Sequence, residues 1–266
     1  MTRIVNNCVA LVCLCLFWGQ SLRAADASHS EQIKWGNESV FNEEHNTLGL
    51  FSGVLGGQIV LAGGTSDDYS RWGRNAVCLS ENAGFALYED VLSKPLAYGA
   101  SITLSDGILC IGGRDSSQCY EDVFFVTMQQ GKLNVSEDWP PLPFPLSNVA
   151  GALLDNKVYL FGGRKSVSPS RLSDSFFVLD LSNKSRGWKE LPGYPGCVRE
   201  DAILVVQNNG VSPCLYLLGG QTETEEGLSS CLTDGYVYNP QLGKWSSLGS
   251  DFPKGICAAV ASGANH

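Results

Sequence analysis

Along this chain the apolar residues come in short runs of about four to six, and four of those runs stop at a Gly-Gly pair. They are GQIVLAGGT (57–65), GILCIGGR (107–114), KVYLFGGR (157–164) and PCLYLLGGQ (213–221). The pairs are Gly63-Gly64, Gly112-Gly113, Gly162-Gly163 and Gly219-Gly220, in steps of 49, 50 and 57 residues. Outside the N-terminal leader no long 3.6-residue apolar pattern appears, so many short strands and little helix are predicted. Runs this short, rich in Val, Ile, Leu and Tyr, suit strands buried on both faces. The glycines suit a backbone that takes positive φ where a side chain would clash.

A period near 50 residues built on strands is the kelch signature of a β-propeller, whose blades bury their faces only against one another. The first repeat runs from about Gly49 to Ser93, with weak third and fourth strands, and the second from Tyr98 to Trp139. The third has strands over 149–154, 157–161, 176–179 and 188–191, and the fourth over 202–206, 215–218, 236–238 and 244–248. Trp139, Trp188 and Trp245 are expected to end the last strands and to bury large surfaces between blades. Trp35 reads as a fourth strand separated from its blade, and Cys257–Ala261 as a first strand with its Gly-Gly partner still due. The fold class expected is all-β, a kelch-type β-propeller of four recognisable blades with partial strands at both ends, truncated from a larger ring. A four-bladed ring completed by Trp35 is the alternative.

Residues 1–25 read as a signal peptide: Arg3, a twelve-residue apolar core from Cys8 to Gly19, then small residues up to Ala24. Twelve apolar residues are too few to span a bilayer. The expected organisation is a leader over 1–25 and a propeller over 26–266, in a periplasmic or secreted protein. An uncleaved anchor or a buried segment is the other reading.

The chain has 18 basic and 27 acidic residues, a net charge of −9. That balance argues against nucleic acid and against anionic membranes as partners. Ten cysteines fall to seven without the leader, so at least one thiol stays unpaired within the chain. Cys110 with Cys119, and Cys214 with Cys231, could each bridge neighbouring strands or simply be buried. The three histidines, His29, His45 and His266, leave no basis for a Ser-His-Asp triad or a His-bound metal, so no metal or cofactor is expected. Proton transfer would fall to Glu, Asp, Tyr or Arg.

Function in such a fold lies in loops. The loop after strand two and the connection to the next blade emerge on one side, and they carry Arg71, Trp72 and Arg74, then Arg114, Arg164 and Gln221 with Glu223, Glu225 and Glu226. The connections add Tyr98, Asn148, and Arg199 with Glu200. Arginines on one face of an acidic protein would hold a carboxylate-bearing ligand by forked hydrogen bonds. Equally, Arg114 and Arg164 could brace their own loops against acids such as Asp115 or Asp174.

Several runs carry a resemblance. AGG (62–64), Trp72-Gly73, PLAYGAS (95–101), CIGG (110–113), LPG (191–193) with Arg199, YLLGG (216–220) and TDGYVYNP (233–240) resemble the N-acetylneuraminate epimerase, or sialic acid mutarotase, family, in its cyclically permuted branch. The resemblance covers about 32–266 and implies a six-bladed ring that speeds exchange between the anomers of sialic acid. A small anionic sugar would then be the partner, with an arginine on its carboxylate and a pair of groups moving protons. The alternative is a non-catalytic kelch propeller that binds glycan or protein. The family's Glu and Arg pair would fall within Gln221–Asp234, where Leu232 stands in the place expected for the arginine. Loop position therefore nominates Arg199 and Glu200 as catalytic, with Arg74, Arg114, Arg164 and Gln221 binding substrate.

Overall fold

The structure is a computed structural model of the chain, and it describes residues 48–80, 84–223 and 229–263. The leader, His45, Trp35, Glu225 and Glu226 lie outside the described residues. Four antiparallel four-stranded sheets follow one another. The first blade is β1 (Phe51–Leu55), β2 (Gln58–Ala62), β3 (Ala76–Ser80) and β4 (Gly84–Tyr88), and the second is β5 (Ala100–Thr103), β6 (Ile108–Ile111), β7 (Val123–Gln129) and β8 (Lys132–Ser136). The third holds β9 (Ala150–Leu154), β10 (Lys157–Phe161), β13 (Phe176–Asp180) and β14 (Lys189–Glu190). A ribbon of β11 (Arg164–Ser166) and β12 (Arg171–Leu172) sits on its upper loop, and a 3-10 turn over Leu181–Arg186 joins β13 to β14. The fourth holds β15 (Ile203–Asn208), β16 (Pro213–Leu218), β19 (Gly235–Asn239) and β20 (Lys244–Ser247), with a ribbon of β17 (Gln221–Glu223) and β18 (Ser229–Cys231). This is a propeller arrangement of four blades, as the repeat predicts.

The first strands β1, β5, β9 and β15 pack side by side along the centre, and the Gly-Gly strands β2, β6, β10 and β16 stand second in each sheet. The core therefore consists of layers between blades. Phe51, Val60, Ile108 and Phe124 fill the first layer, Ile102, Leu109, Leu160 and Phe177 the second, and Tyr159, Phe176, Leu215 and Tyr238 the third. Burying such side chains contributes roughly 1.5–3 kcal/mol each, which no isolated blade could recover alone.

Gly162 and Gly163 show why the pairs are glycine. Their φ angles are 69° and 91°, and a Cβ on Gly162 would stand 2.5 Å from the Arg199 carbonyl oxygen. That close approach lets the Gly163 N–H donate to the same carbonyl at 2.9 Å, joining the third blade to the fourth. The bond recurs from Gly64 to Leu96, Gly113 to Leu146 and Gly220 to Ile256.

Four expectations need correction. The weak strands of the first repeat form fully as β3 and β4, because Ala76 and Cys78 bury against the second blade's layer and β4 needs only β3 as partner. Trp139 lies beyond β8 and packs on Phe125 at 5.3 Å between ring centroids, while Trp188 precedes β14; only Trp245 sits within a strand. The indoles of Trp188 and Trp245 donate to the carbonyls of Pro140 and Pro192 of the preceding blade's exit, at 3.0 and 3.3 Å. Residues 257–261 are not a strand, since no described segment pairs with them, and Val260 is 75 % exposed. Finally, Cys231 bonds Cys257, while Cys110, Cys119 and Cys214 are buried thiols, each held in its own strand or loop.

Candidate functional site

The residue after each Gly-Gly pair forms a bridge to the incoming connection: Thr65 to Leu48, Arg114 to Ala97, Arg164 to Ser147 and Gln221 to Glu200. Four equivalent bridges place Arg114, Arg164, Glu200 and Gln221 on one rim. The next residue of each connection, Gly49, Tyr98, Asn148 and Asp201, takes positive φ of 64°, 62°, 53° and 51°, and Ala258 takes 49°. Their main chains form a relay. Tyr98 N–H donates to the Gly49 carbonyl at 2.8 Å, Asn148 to Tyr98 at 2.6 Å, Asp201 to Asn148 at 3.0 Å and Ala258 to Asp201 at 3.0 Å. One residue per blade is thereby held at the mouth of the centre, and in the second, third and fourth blades it carries a polar side chain, Tyr98, Asn148 and Asp201.

Glu200, only 3 % exposed, accepts a fork from Arg164: Nε to Oε2 at 2.8 Å and Nη2 to Oε1 at 2.5 Å. This bond to Glu200 raises the Arg164 guanidinium pKa further, against burial. Arg164 Nη1 donates to Ser170 Oγ at 2.6 Å, and Nη2 reaches Glu223 Oε1 at 3.3 Å, to which Ser170 also donates. A brace is present, then, but its acid comes from the next blade's connection rather than from Asp174.

Gln221 spends its amide on two carboxylates, with Nε2 donating to Glu200 Oε1 at 3.2 Å and to Asp201 Oδ2 at 3.0 Å. Asn148 Nδ2 donates to Asp201 Oδ1 at 2.9 Å. Burial pushes the Asp201 carboxyl up to about 6; Glu200 adds to the rise, while the Asn148 bond, Arg164 and Arg114 oppose it. Unlike Glu200, Asp201 is partly exposed.

Arg114 is bound differently. Its guanidinium lies over the rings of Tyr98 and Trp72, 4.7 and 5.1 Å from their centroids. Nη1 makes a 3.4 Å contact to the Asp115 carbonyl, Nε is buried without a partner, and among the described residues no carboxylate pairs with it. Trp72 and Tyr98 meet edge to face at 6.3 Å, and burial with the neighbouring Tyr69 hydroxyl pushes the Tyr98 phenol pKa up.

The remaining two predicted residues lie elsewhere. Arg199 is fully buried: Nη1 and Nη2 donate to the two oxygens of Asp234, Nε to Tyr194 Oη at 2.8 Å, and Nη1 also to the Gly219 carbonyl at 2.7 Å. It precedes Glu200 in sequence, but its side chain turns into the blade interface, so it does not stand on the rim where loop position places it. Arg74 is 41 % exposed and pairs with Asp90 at the foot of its own blade's outer loop. Asp201 and Ser170 were not singled out from the sequence. Asp201 could have been found by position, since it occupies the slot of Tyr98 and Asn148. Among the described residues no three His, Cys, Asp or Glu side chains form a metal-holding group.

Comparison with known proteins adds to this geometry. Residues 139–266 match the family model described as N-acetylneuraminate epimerase. The N-acetylneuraminate epimerase of Yersinia pestis (strain Pestoides F) is 30% identical over 129 residues, which are 48% of this chain and 30% of that protein. That of Haemophilus influenzae (strain PittEE) is 31% identical over 131 residues, 49% of this chain and 32% of that one. A kelch domain-containing protein of Vibrio cholerae is 31% identical over 121 residues, 45% of this chain and 31% of its own length. The chain thus spans about a third of the length of the curated relatives it matches. The solved structure titled "Structure of YjhT" superposes with a TM-score of 0.63 at 14% identity, over 80% of this chain and 73% of that one, a likeness of fold alone. The resemblance to N-acetylneuraminate epimerases read from the sequence holds over residues 139–266, and that stretch carries Arg164, Glu200, Asp201 and Gln221.

Proposed function

We propose that this rim binds a small anionic sugar of the sialic acid class and speeds exchange between its anomers. The observation that carries the proposal is Arg114, a cation stacked on Tyr98 and Trp72 with no carboxylate partner among the described residues, on the same rim as the carboxylates of Glu200 and Asp201. A guanidinium so placed offers a fork to a ligand carboxylate, and the two rings offer apolar area to the face of a sugar. Anomer exchange needs little more: one group takes the proton of the anomeric hydroxyl while the ring oxygen acquires another. The carboxylates of the fourth blade's connection are the groups within reach of that duty. The match of residues 139–266 to N-acetylneuraminate epimerases supports the choice of sugar.

The test is NMR of freshly dissolved α-N-acetylneuraminate with and without the purified protein. Faster approach to the anomer equilibrium at catalytic protein concentration is expected. Unchanged exchange, with the sugar nevertheless bound and Arg114→Met abolishing that binding, would leave a lectin-like propeller instead.

A further inference from the structure

The two rim carboxylates are neighbours in sequence but not in environment. Glu200 is buried, and three donated hydrogen bonds hold it: two from Arg164 and one from Gln221. A carboxylate gripped by a forked guanidinium gives up that fork only at considerable cost. Asp201 stands one residue further on, at the left-handed position that every connection presents to the mouth. It is partly exposed, and each of its oxygens accepts one neutral amide, from Asn148 and from Gln221.

We infer that Asp201 is the catalytic residue that takes and returns the anomeric proton, while Glu200 is a positioning residue that holds Arg164 and, through Gln221, the Asp201 carboxylate. This rests on the mutarotase reading above. The step balances with water as the only co-reactant. The anomeric O–H proton passes to an Asp201 oxygen as that C–O becomes a carbonyl; the electron pair of the breaking ring C–O bond goes to the ring oxygen, which is protonated by water. Reclosure on the opposite face of the carbonyl reverses each transfer and regenerates the carboxylate, so sugar and protein gain and lose nothing.

The charged and titratable groups around Asp201 set its working range. Glu200 from its own connection raises its proton affinity, Arg164 from β11 and Arg114 from the loop after β6 lower it, and the Tyr98 phenol lies within electrostatic reach. Burial outweighs the two arginines, and the carboxyl titrates at about 6. A base with that affinity is mostly ionised at neutral pH yet far more basic than a surface aspartate, a favourable compromise for general-base catalysis.

The experiment is the pH profile of N-acetylneuraminate anomer exchange for the wild-type protein, Asp201→Asn, Glu200→Gln and Asn148→Gly, alongside a carbon-13 NMR titration of the aspartate carboxyls. The wild-type rate should rise through about pH 6 and level off, and one carboxyl should titrate there and vanish in Asp201→Asn. Asp201→Asn should lose about 100-fold or more in rate while still binding sugar, the usual size of a general-base contribution. Asn148→Gly keeps the left-handed backbone and removes an amide that favours the ionised form, so its profile should move to higher pH; it serves as the second variant should Asp201→Asn fold poorly. Exchange that is accelerated by the wild type but retained, with the same profile, in Asp201→Asn overturns the assignment and leaves the mutarotase reading standing. A profile unmoved in Asn148→Gly overturns it as well. No acceleration by the wild-type protein overturns the mutarotase reading itself, and the assignment with it.

Discussion

Asp234 receives both terminal nitrogens of Arg199, at 2.6 and 2.8 Å, and so ties the connection between the third and fourth blades to the start of β19. The Arg199 carbonyl meanwhile accepts the Gly163 N–H from the third blade. Removing one partner of a buried ion pair strands the other, at about 3–5 kcal/mol. Arg199→Met should therefore lower the unfolding free energy by roughly 3 kcal/mol in denaturant titration. Burial raises the Asp234 pKa, but the hydrogen bond from Arg199 outweighs it and holds the carboxyl below its ordinary value of 3.8. With a depressed folded value, the stabilisation is present above about pH 4 and is lost as pH falls through the folded pKa, so the gap between wild type and variant should close in acid.

Arg114→Met tests the opposite kind of arginine. It gives up two ring contacts worth about 0.5–1 kcal/mol each where exposed, and no salt bridge among the described residues. The variant should unfold within roughly 1–2 kcal/mol of wild type. Sugar binding should weaken by about 10-fold to 100-fold, the usual size of a charge-assisted hydrogen bond, as read by calorimetric titration with N-acetylneuraminate.

Asp201 makes the folded state sensitive to pH in the neutral range. Its folded pKa of about 6 exceeds its ordinary 3.8, so the folded protein holds a proton that the unfolded chain releases. The sign follows: this contribution to stability is fully present below about pH 4 and is lost as pH rises through 6. Between pH 4 and 7 the wild type should lose up to about 3 kcal/mol relative to Asp201→Asn. Paired denaturant curves at the two pH values measure it.

The thiols give a chemical test of the fold. Cys197 is exposed, Cys78, Cys110, Cys119 and Cys214 are buried, and Cys231 is bonded to Cys257. Brief alkylation of the folded, oxidised protein should mark Cys197 ahead of the four buried thiols, and mild reduction should add Cys231 and Cys257, as mapped by peptide mass. Cys257→Ser should cost about 2–4 kcal/mol of stability.

The blades were legible because one local rule repeats. A strand ending in two glycines has few alternative settings, and KVYLF is β10 over the residues expected. The first blade's outer strands were harder to see, since GFALY is mostly exposed and is held by pairing with β3 rather than by an apolar face. On the rim, loop position correctly gathered Arg114, Arg164, Glu200 and Gln221. It failed for Arg199, because adjacent residues of an extended connection point to opposite sides, and nothing in "RE" tells which one enters the blade interface. It missed Asp201 for a countable reason. Tyr98 and Asn148 each stand fourteen residues before Gly112 and Gly162, whereas Asp201 stands eighteen before Gly219. Against the third blade, two of the four extra residues lie in the turn between β15 and β16, over 209–212 rather than the two-residue turn Asp155-Asn156, and β15 and β16 add one each, being six residues long where β9 and β10 have five.

The relay of main-chain bonds through Gly49, Tyr98, Asn148, Asp201 and Ala258 separates architecture from chemistry. Since amide and carbonyl groups do all the linking, each side chain at that height is exchangeable without breaking the relay itself. Glycine, asparagine and aspartate tolerate the left-handed backbone readily; tyrosine does not, at a penalty of about 1–2 kcal/mol. Tyr98 must therefore recover that penalty from what it stacks on. New specificities could accordingly arise here by single replacements, one connector at a time, on an unaltered wheel.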